Sequence, residues 1–188
     1  MDENSWIDRA QHGDAAAFAN LVERYQGRLV AFLWNLLGCG DDARDAAQDA
    51  FVQAYQGLGH FDGSRPFKNW LFAIAYNRGI DLLRRKQRFH RFWEREAAAG
   101  APATRPTAGL EESPLWRPAL RRLTAQERSV LALAYNEGWA AAEIGAILGC
   151  SESTVRVHLL NSRRKLKKEL QAAGFNASLK KASAGEAP

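Results

Sequence analysis

Glu143-Ile-Gly-Ala-Ile-Leu-Gly-Cys-Ser-Glu-Ser-Thr-Val-Arg156 is the stretch on which the fold of this chain turns. Ile144, Ile147 and Leu148 are spaced as one buried face of a short helix requires. Gly149-Cys150 breaks that helix tightly, and Ser151 can cap a second, longer one. Two amphipathic helices joined by so short a turn form a helix-turn-helix. On the second helix Val155, Leu159, Ser162 and Leu166 are separated by four, three and four residues and pack inward. Ser153, Val157, Leu160, Arg164 and Lys168 then point outward, with Arg156 and Asn161 on the flanks. This face has an N-terminal end able to approach bases, an Arg able to bond guanine twice, and later cations for phosphates, which is what a DNA groove asks of a helix. The plain alternative is a solvated, Lys/Arg-rich terminal helix whose cations complement its dipole. The turn between two amphipathic helices favours DNA reading.

Outward from that stretch, Thr124-Ala-Gln-Glu127 has the Thr-x-x-Glu pattern of a capping box and precedes the apolar run Val130, Leu131, Leu133 and Ala134. We expect a C-terminal domain over residues 119–171, followed by a small, polar, mobile tail over 172–188. Before it, residues 97–118 are rich in Ala, Gly, Pro and Thr, and Pro102, Pro106, Pro114 and Pro118 interrupt any helix, as in a flexible linker. Residues 1–96 form the expected N-terminal domain. Asp14 is placed to cap a helix whose apolar stripe is Phe18, Leu21, Val22, Tyr25, Leu29, Phe32, Leu33 and Leu36. A second helix begins at Asp41-Asp42, carries Ala47, Ala50, Phe51, Ala54, Tyr55 and Leu58, and is closed by Gly57 and Gly59. A third has Pro66 at its first position, buries Phe67, Trp70, Leu71, Ile74 and Ala75, and runs to about Arg91. No strand pattern of comparable length occurs. The expected fold is all-α: two small helical domains joined by a flexible linker, the second a helix-turn-helix.

The chain has 188 residues, 46% of them apolar and 25% charged, and a formal net charge of +5. Its charge is unevenly spread. Residues 1–62 hold four Arg against ten Asp and Glu, net −6, whereas residues 65–95 hold nine Lys and Arg against two acids, net +7. Residues 151–171 add a further net +4. An acidic surface followed by two basic segments implies two kinds of partner, one of them nucleic acid. Cys39 and Cys150 match no zinc pattern and cannot build a disulfide framework, so a reducing, cytoplasmic compartment is expected, with both as small buried apolar residues. The acidic start and the lack of a long apolar stretch argue against export and membrane insertion.

Five stretches, in order, resemble the extracytoplasmic-function (ECF) class of bacterial RNA polymerase sigma factors. They are Asp14-Ala-Ala-Ala-Phe18, Asp42-Ala-Arg-Asp-Ala-Ala-Gln-Asp-Ala-Phe51, Trp70-Leu-Phe-Ala-Ile-Ala-Tyr-Asn77, Asp81-Leu-Leu-Arg-Arg85 and the opening stretch, Glu143 to Arg156. The resemblance implies sigma regions two and four, joined directly by the linker. It implies that the helix from Asp41 docks on the polymerase clamp through Asp45, Gln48, Asp49 and Gln53, consistent with the acidic first segment. It assigns the minus-ten promoter element to the loop 60–68 and the helix after it. Phe61, Asn77, Arg78, Asp81, Arg84, Arg85 and Arg88 are the expected contacts, with Phe61 or Phe67 able to stack on an unpaired base. For Phe67 and Trp70 a core role weighs more, since both lie on the apolar stripe. The minus-thirty-five element falls to Ser153, Thr154, Arg156, Val157, Leu160, Asn161 and Arg164. The sequence departs from the family at His158 and Asn161, where relatives often have basic residues. An anti-sigma protein is a further implied partner, beside core polymerase and promoter DNA.

Two other readings bear on the same residues. A stand-alone LuxR-like regulator explains the helix-turn-helix equally well but leaves the basic stripe Asn77, Asp81, Arg84 and Arg88 without a purpose. An enzyme finds little support: His12, His60, His90 and His158 are scattered, and neither a phosphate loop nor a Cys/His cluster occurs. No catalytic residue, metal or cofactor is expected.

Overall fold

Two aspartates start the chain's first helices. Asp2 accepts the Ser5 amide at 3.0 Å and Asp14 the Ala17 amide at 3.1 Å, each satisfying an N–H that a first helical turn leaves unpaired. They open α1 (Glu3–Gln11) and α2 (Ala15–Leu37). In this computed structural model, which describes residues 2–98, 119–120 and 122–172, every regular element is a helix. The stripe expected of α2 is buried from Phe18 to Leu36, apart from Val22, which is half-buried. The expectation of three N-terminal helices omits α1, whose nine residues turn only Ile7 and Ala10 fully inward. Gln11 at its end donates to the carbonyls of Leu58 and Phe61 at 3.0 and 3.1 Å, tying α1 to the turn after the third helix.

That third helix, α3 (Gly40–Gly57), buries Ala43, Ala46, Ala47, Ala50, Phe51 and Ala54. A face of small residues lets it lie closely against its neighbours. A short 3-10 turn, Leu58–His60, leads to α4 (Phe67–Ala98). Pro66 stands just ahead of α4 rather than inside it, its carbonyl accepting the Asn69 amide at 3.0 Å. The helix also outruns the expected end near Arg91.

The C-terminal half contains α5 (Ala125–Leu131), continued by a wider π-helical turn, Ala132–Asn136, then α6 (Ala141–Leu148) and α7 (Glu152–Ala172). The Thr124 capping box is closed both ways: Thr124 Oγ1 accepts the Glu127 amide at 3.2 Å and Glu127 Oε2 accepts the Thr124 amide at 2.8 Å. Residues 97–98 still belong to α4; the rest of the expected linker, 99–118, and the tail beyond Ala172 lie outside the described residues.

The two halves pack together, α5 on α2 and α6 on α4, so that their cores are continuous. The Phe72 and Trp139 rings meet edge to face, 4.7 Å between centroids, a pairing worth about 0.5–1.5 kcal/mol beyond the area it buries. Arg128 donates to the carbonyl of Leu36 at 3.0 Å, and its burial there lowers the guanidinium pKa. Ion pairs Arg28–Glu137 and Lys68–Glu143 flank the contact. Apolar periodicity within each half carries no sign of this junction, because neither Phe72 nor Trp139 falls on the stripes that helical spacing defines.

Candidate nucleic-acid interface

The turn of the helix-turn-helix is built from backbone. Gly149 sits at φ +67°, where a side chain would be strained, and the Cys150 amide returns to the Gly145 carbonyl at 3.0 Å. A Cβ on Gly145 would lie 2.6 Å from the Cys150 carbonyl oxygen, so this position admits glycine alone without displacing the turn. Ser151 then caps α7, its Oγ accepting the Thr154 amide at 3.2 Å and meeting the Ser153 and Thr154 hydroxyls at 2.8 Å.

The inward side of α7 is anchored by more than apolar contact. Glu127, only 4% exposed, receives Lys165 Nζ at 2.8 Å on both carboxylate oxygens. Burial pushes the Glu127 pKa up, but Lys165 and the Thr124 amide outweigh it, and the net shift is downward. Ser162 is buried and its hydroxyl reaches the Glu127 carbonyl at 3.5 Å, while Arg163 donates to the Tyr135 hydroxyl at 2.7 Å. Rotation of α7 about its axis is thereby fixed, and with it the set of side chains presented outward. Ser153, Arg156, Val157, Leu160 and Arg164 are exposed. Thr154 and Asn161 are half-buried, and Arg156 is paired with Glu152 one turn back at 2.5 Å.

On α4, Asn77, Asp81, Arg84, Arg85 and Arg88 are exposed along one side, with Asp81 and Arg84 paired at 3.4 Å. Arg78 is half-buried and donates to Gln53 Oε1 at 2.8 Å, joining α4 to α3. Phe61 is a correction: it is 7% exposed, packed between Phe67 at 5.6 Å and Trp70 at 4.9 Å, and is a core ring with no face open to a base. Phe67 is buried and Trp70 half-buried, matching the core role weighed for them. The two cysteines are half-buried and free rather than fully buried, and the Cys150 thiol pKa is raised by desolvation.

Asp45, Gln48, Asp49 and Gln53 all stand exposed on α3. Beside them an apolar groove runs between α2 and α3, lined by Phe18, Val22, Val30, Phe51, Val52 and Tyr55. Helical spacing puts Tyr55 in the buried stripe and Val52 in none, yet both are exposed. The signal was in the spacing: Val52 follows Asp45, Gln48 and Asp49 at helical intervals and shares their face. Among the described residues no acid, Cys or His cluster could hold a metal, and no helix is long and apolar enough to cross a membrane.

A helix-turn-helix reader carried on a basic, all-α body defines a transcription factor of the sigma-70 type: residues 21–89 match the model of Sigma-70 region 2 and residues 119–168 that of Sigma-70, region 4. The chain is 34% identical to ECF RNA polymerase sigma factor SigL of Mycobacterium tuberculosis, covering 86% of this chain and 96% of that one. It is 29% identical to ECF RNA polymerase sigma factor SigW of Bacillus subtilis, over 88% and 95%. Among solved structures it resembles CnrH in complex with the cytosolic domain of CnrY, with a TM-score of 0.69, 29% identity and coverage of 90% and 97%. It also resembles the sigma factor RpoE in complex with the anti-sigma factor NepR from Bartonella quintana, with a TM-score of 0.66, 25% identity and coverage of 82% and 96%. The chain belongs to the ECF sigma factors, transcription initiation factors that bind core RNA polymerase and direct it to promoters through the minus-thirty-five and minus-ten elements.

Proposed function

We propose that the family's tasks are divided along this chain as follows. Residues 1–96 form the domain that binds polymerase and the minus-ten element, 97–118 link it, 119–171 read the minus-thirty-five element, and 172–188 are a tail. The polymerase clamp docks on Asp45, Gln48, Asp49 and Gln53 of α3. Asn77, Arg78, Asp81, Arg84, Arg85 and Arg88 of α4 meet the minus-ten strand, the arginines following phosphates as the duplex opens. Ser153, Thr154, Arg156, Val157, Leu160, Asn161 and Arg164 enter the major groove of the minus-thirty-five element.

The observation that carries this reading is the asymmetry of α7. Its inner side is locked by Lys165 pairing with the buried Glu127, while its cation-bearing outer side is left uncovered. Thr154 serves chiefly as the cap partner of Ser151, and Phe61 supports the loop from inside rather than stacking on a base. CnrH and RpoE are each solved with a protein partner, CnrY and the anti-sigma factor NepR, which supports an anti-sigma partner here as well. Such a partner covers the α3 face or wedges between the two halves. The chain acts in the cytoplasm and by recruitment, without a reaction of its own.

In vitro transcription with sigma-free core polymerase on candidate promoters tests the proposal. Transcription that starts at defined sites only when this chain is added is the expected result. Promoter binding that is equally tight and selective without core polymerase would reject it.

A further inference from the structure

Two of the large apolar side chains that α7 carries leave about half their surface uncovered. Val157 is 55% and Leu160 52% exposed, and they lie side by side, three residues apart, at the middle of the outward face. Ser153 and Arg164 share that central strip, and Arg156 and Arg163 border it. Solvation of a lone aliphatic side chain is ordinary, but an adjacent pair at the centre of a cationic, DNA-facing helix needs an apolar counterpart on the ligand. The flanking arginines argue for a polyanion as that ligand. In the major groove guanine, adenine and cytosine offer hydrogen-bonding groups, and only thymine adds a methyl group.

We propose that Val157 and Leu160 are specificity-determining residues that select thymine by contact with its C5 methyl. The inference rests on α7 being the groove-entering helix. A helix rises about 1.5 Å per residue, so the two side chains are offset by about 4.5 Å along the axis. The step between base pairs is about 3.4 Å, so the pair meets consecutive base pairs, with the thymine on either strand. Leu160 reaches further from the axis than Val157 and makes the larger contact. Arg156, next to Val157 and one turn before Leu160, reads a guanine beside them once it releases Glu152.

The test uses the full chain with sigma-free core polymerase to select an upstream element from random duplexes. Each thymine of the selected element is then replaced by deoxyuridine, which removes the methyl and nothing else. The expected result is a three- to tenfold loss of affinity at one or two thymines on consecutive base pairs. Leu160→Ala and Val157→Ala should each lower affinity for the thymine duplex by a similar factor and become indifferent to the methyl at their own position. Because the change is made in the DNA, the wild-type measurement does not depend on how any variant folds. Deoxyuridine tolerated within twofold everywhere, methyl sensitivity retained by both variants, or a selected element without thymine at these steps would overturn the inference while leaving promoter reading intact. Failure to enrich any element, by contrast, would remove the promoter-reading assignment itself.

Discussion

At the scale of single residues, the chain separates side chains that hold the reading helix from side chains that read. Glu127 belongs to the first kind. Its pKa is held below the ordinary 4.5, so ionised Glu127 stabilises the fold above about that pH, and the contribution is lost as pH falls through the depressed folded value. Glu127→Gln should destabilise the protein at pH 7 by about 1–3 kcal/mol, through the lost charge-assisted bonds and the weakened cap. The variant should also lose less stability than the wild type on acidification from pH 6 to 3, as read from urea midpoints. Parallel pH profiles would remove Glu127 as the titrating group. Arg156 is proposed for the second kind. Arg156→Ala should weaken minus-thirty-five binding by about 1–3 kcal/mol and relax base preference at one position if it reads a base. Competition binding against single-base variants of the element makes that measurement, and an equal loss on every sequence would reassign Arg156 to phosphate.

Among elements, α6 and α7 are joined by a turn that depends on a missing side chain. Gly145→Ala forces a methyl against the Cys150 carbonyl, which is backbone and cannot swing aside. Overpacking of this kind costs about 1–3 kcal/mol. Thermal unfolding of the variant should shift down, and DNA binding should fall further than stability accounts for, because the turn sets the angle of α7. Unchanged melting and binding would mean the turn moves freely. On α3 the proposed polymerase face is formed by Asp45, Gln48, Asp49 and Gln53, with exposed Val52 beside them. Asp49→Lys should weaken core polymerase binding about tenfold or more while leaving the melting temperature within a few degrees, since Asp49 is exposed and makes no buried contact. Core affinity equal to wild type in a pull-down titration would take Asp49 out of the interface. Element boundaries were legible where chemistry marks them. Asp14, Thr124 and Ser151 cap helices as their sequence context requires, whereas the nine residues of α1 are too few for an apolar period to stand out.

Across the whole molecule, the junction of the two halves is the feature with most bearing on function. Elements named for positions thirty-five and ten base pairs upstream lie about 85 Å apart at about 3.4 Å per base pair. A packed chain of this length has a radius of gyration of only about 16 Å. On the proposed division of tasks, the contact of Phe72 with Trp139 is expected to part when both elements are engaged. Paired fluorophores at the exposed positions Glu23 and Gln171 should report a short distance in the free chain and a longer one in the promoter complex. Trp139→Ala, which removes an aromatic side chain worth about 3–5 kcal/mol in a core, should lengthen the distance in the free chain as well. A distance that stays the same in all three states would count against opening.

By itself the sequence determined the helical class, the two halves, most helix starts, the helix-turn-helix and the residues of its outer face. These are local properties: helical periodicity, capping chemistry and turn glycines act over a few residues and are written where they act. Tertiary structure alone decided that Phe61 is a core ring, that Tyr55 and Val52 edge an open groove, that Arg78 bonds Gln53, and that Trp139 meets Phe72 across the two halves. Each of these depends on which helix packs against which face, a matter of contacts between residues far apart in the chain. A stripe of apolar residues states that a face is buried and does not name the surface that buries it.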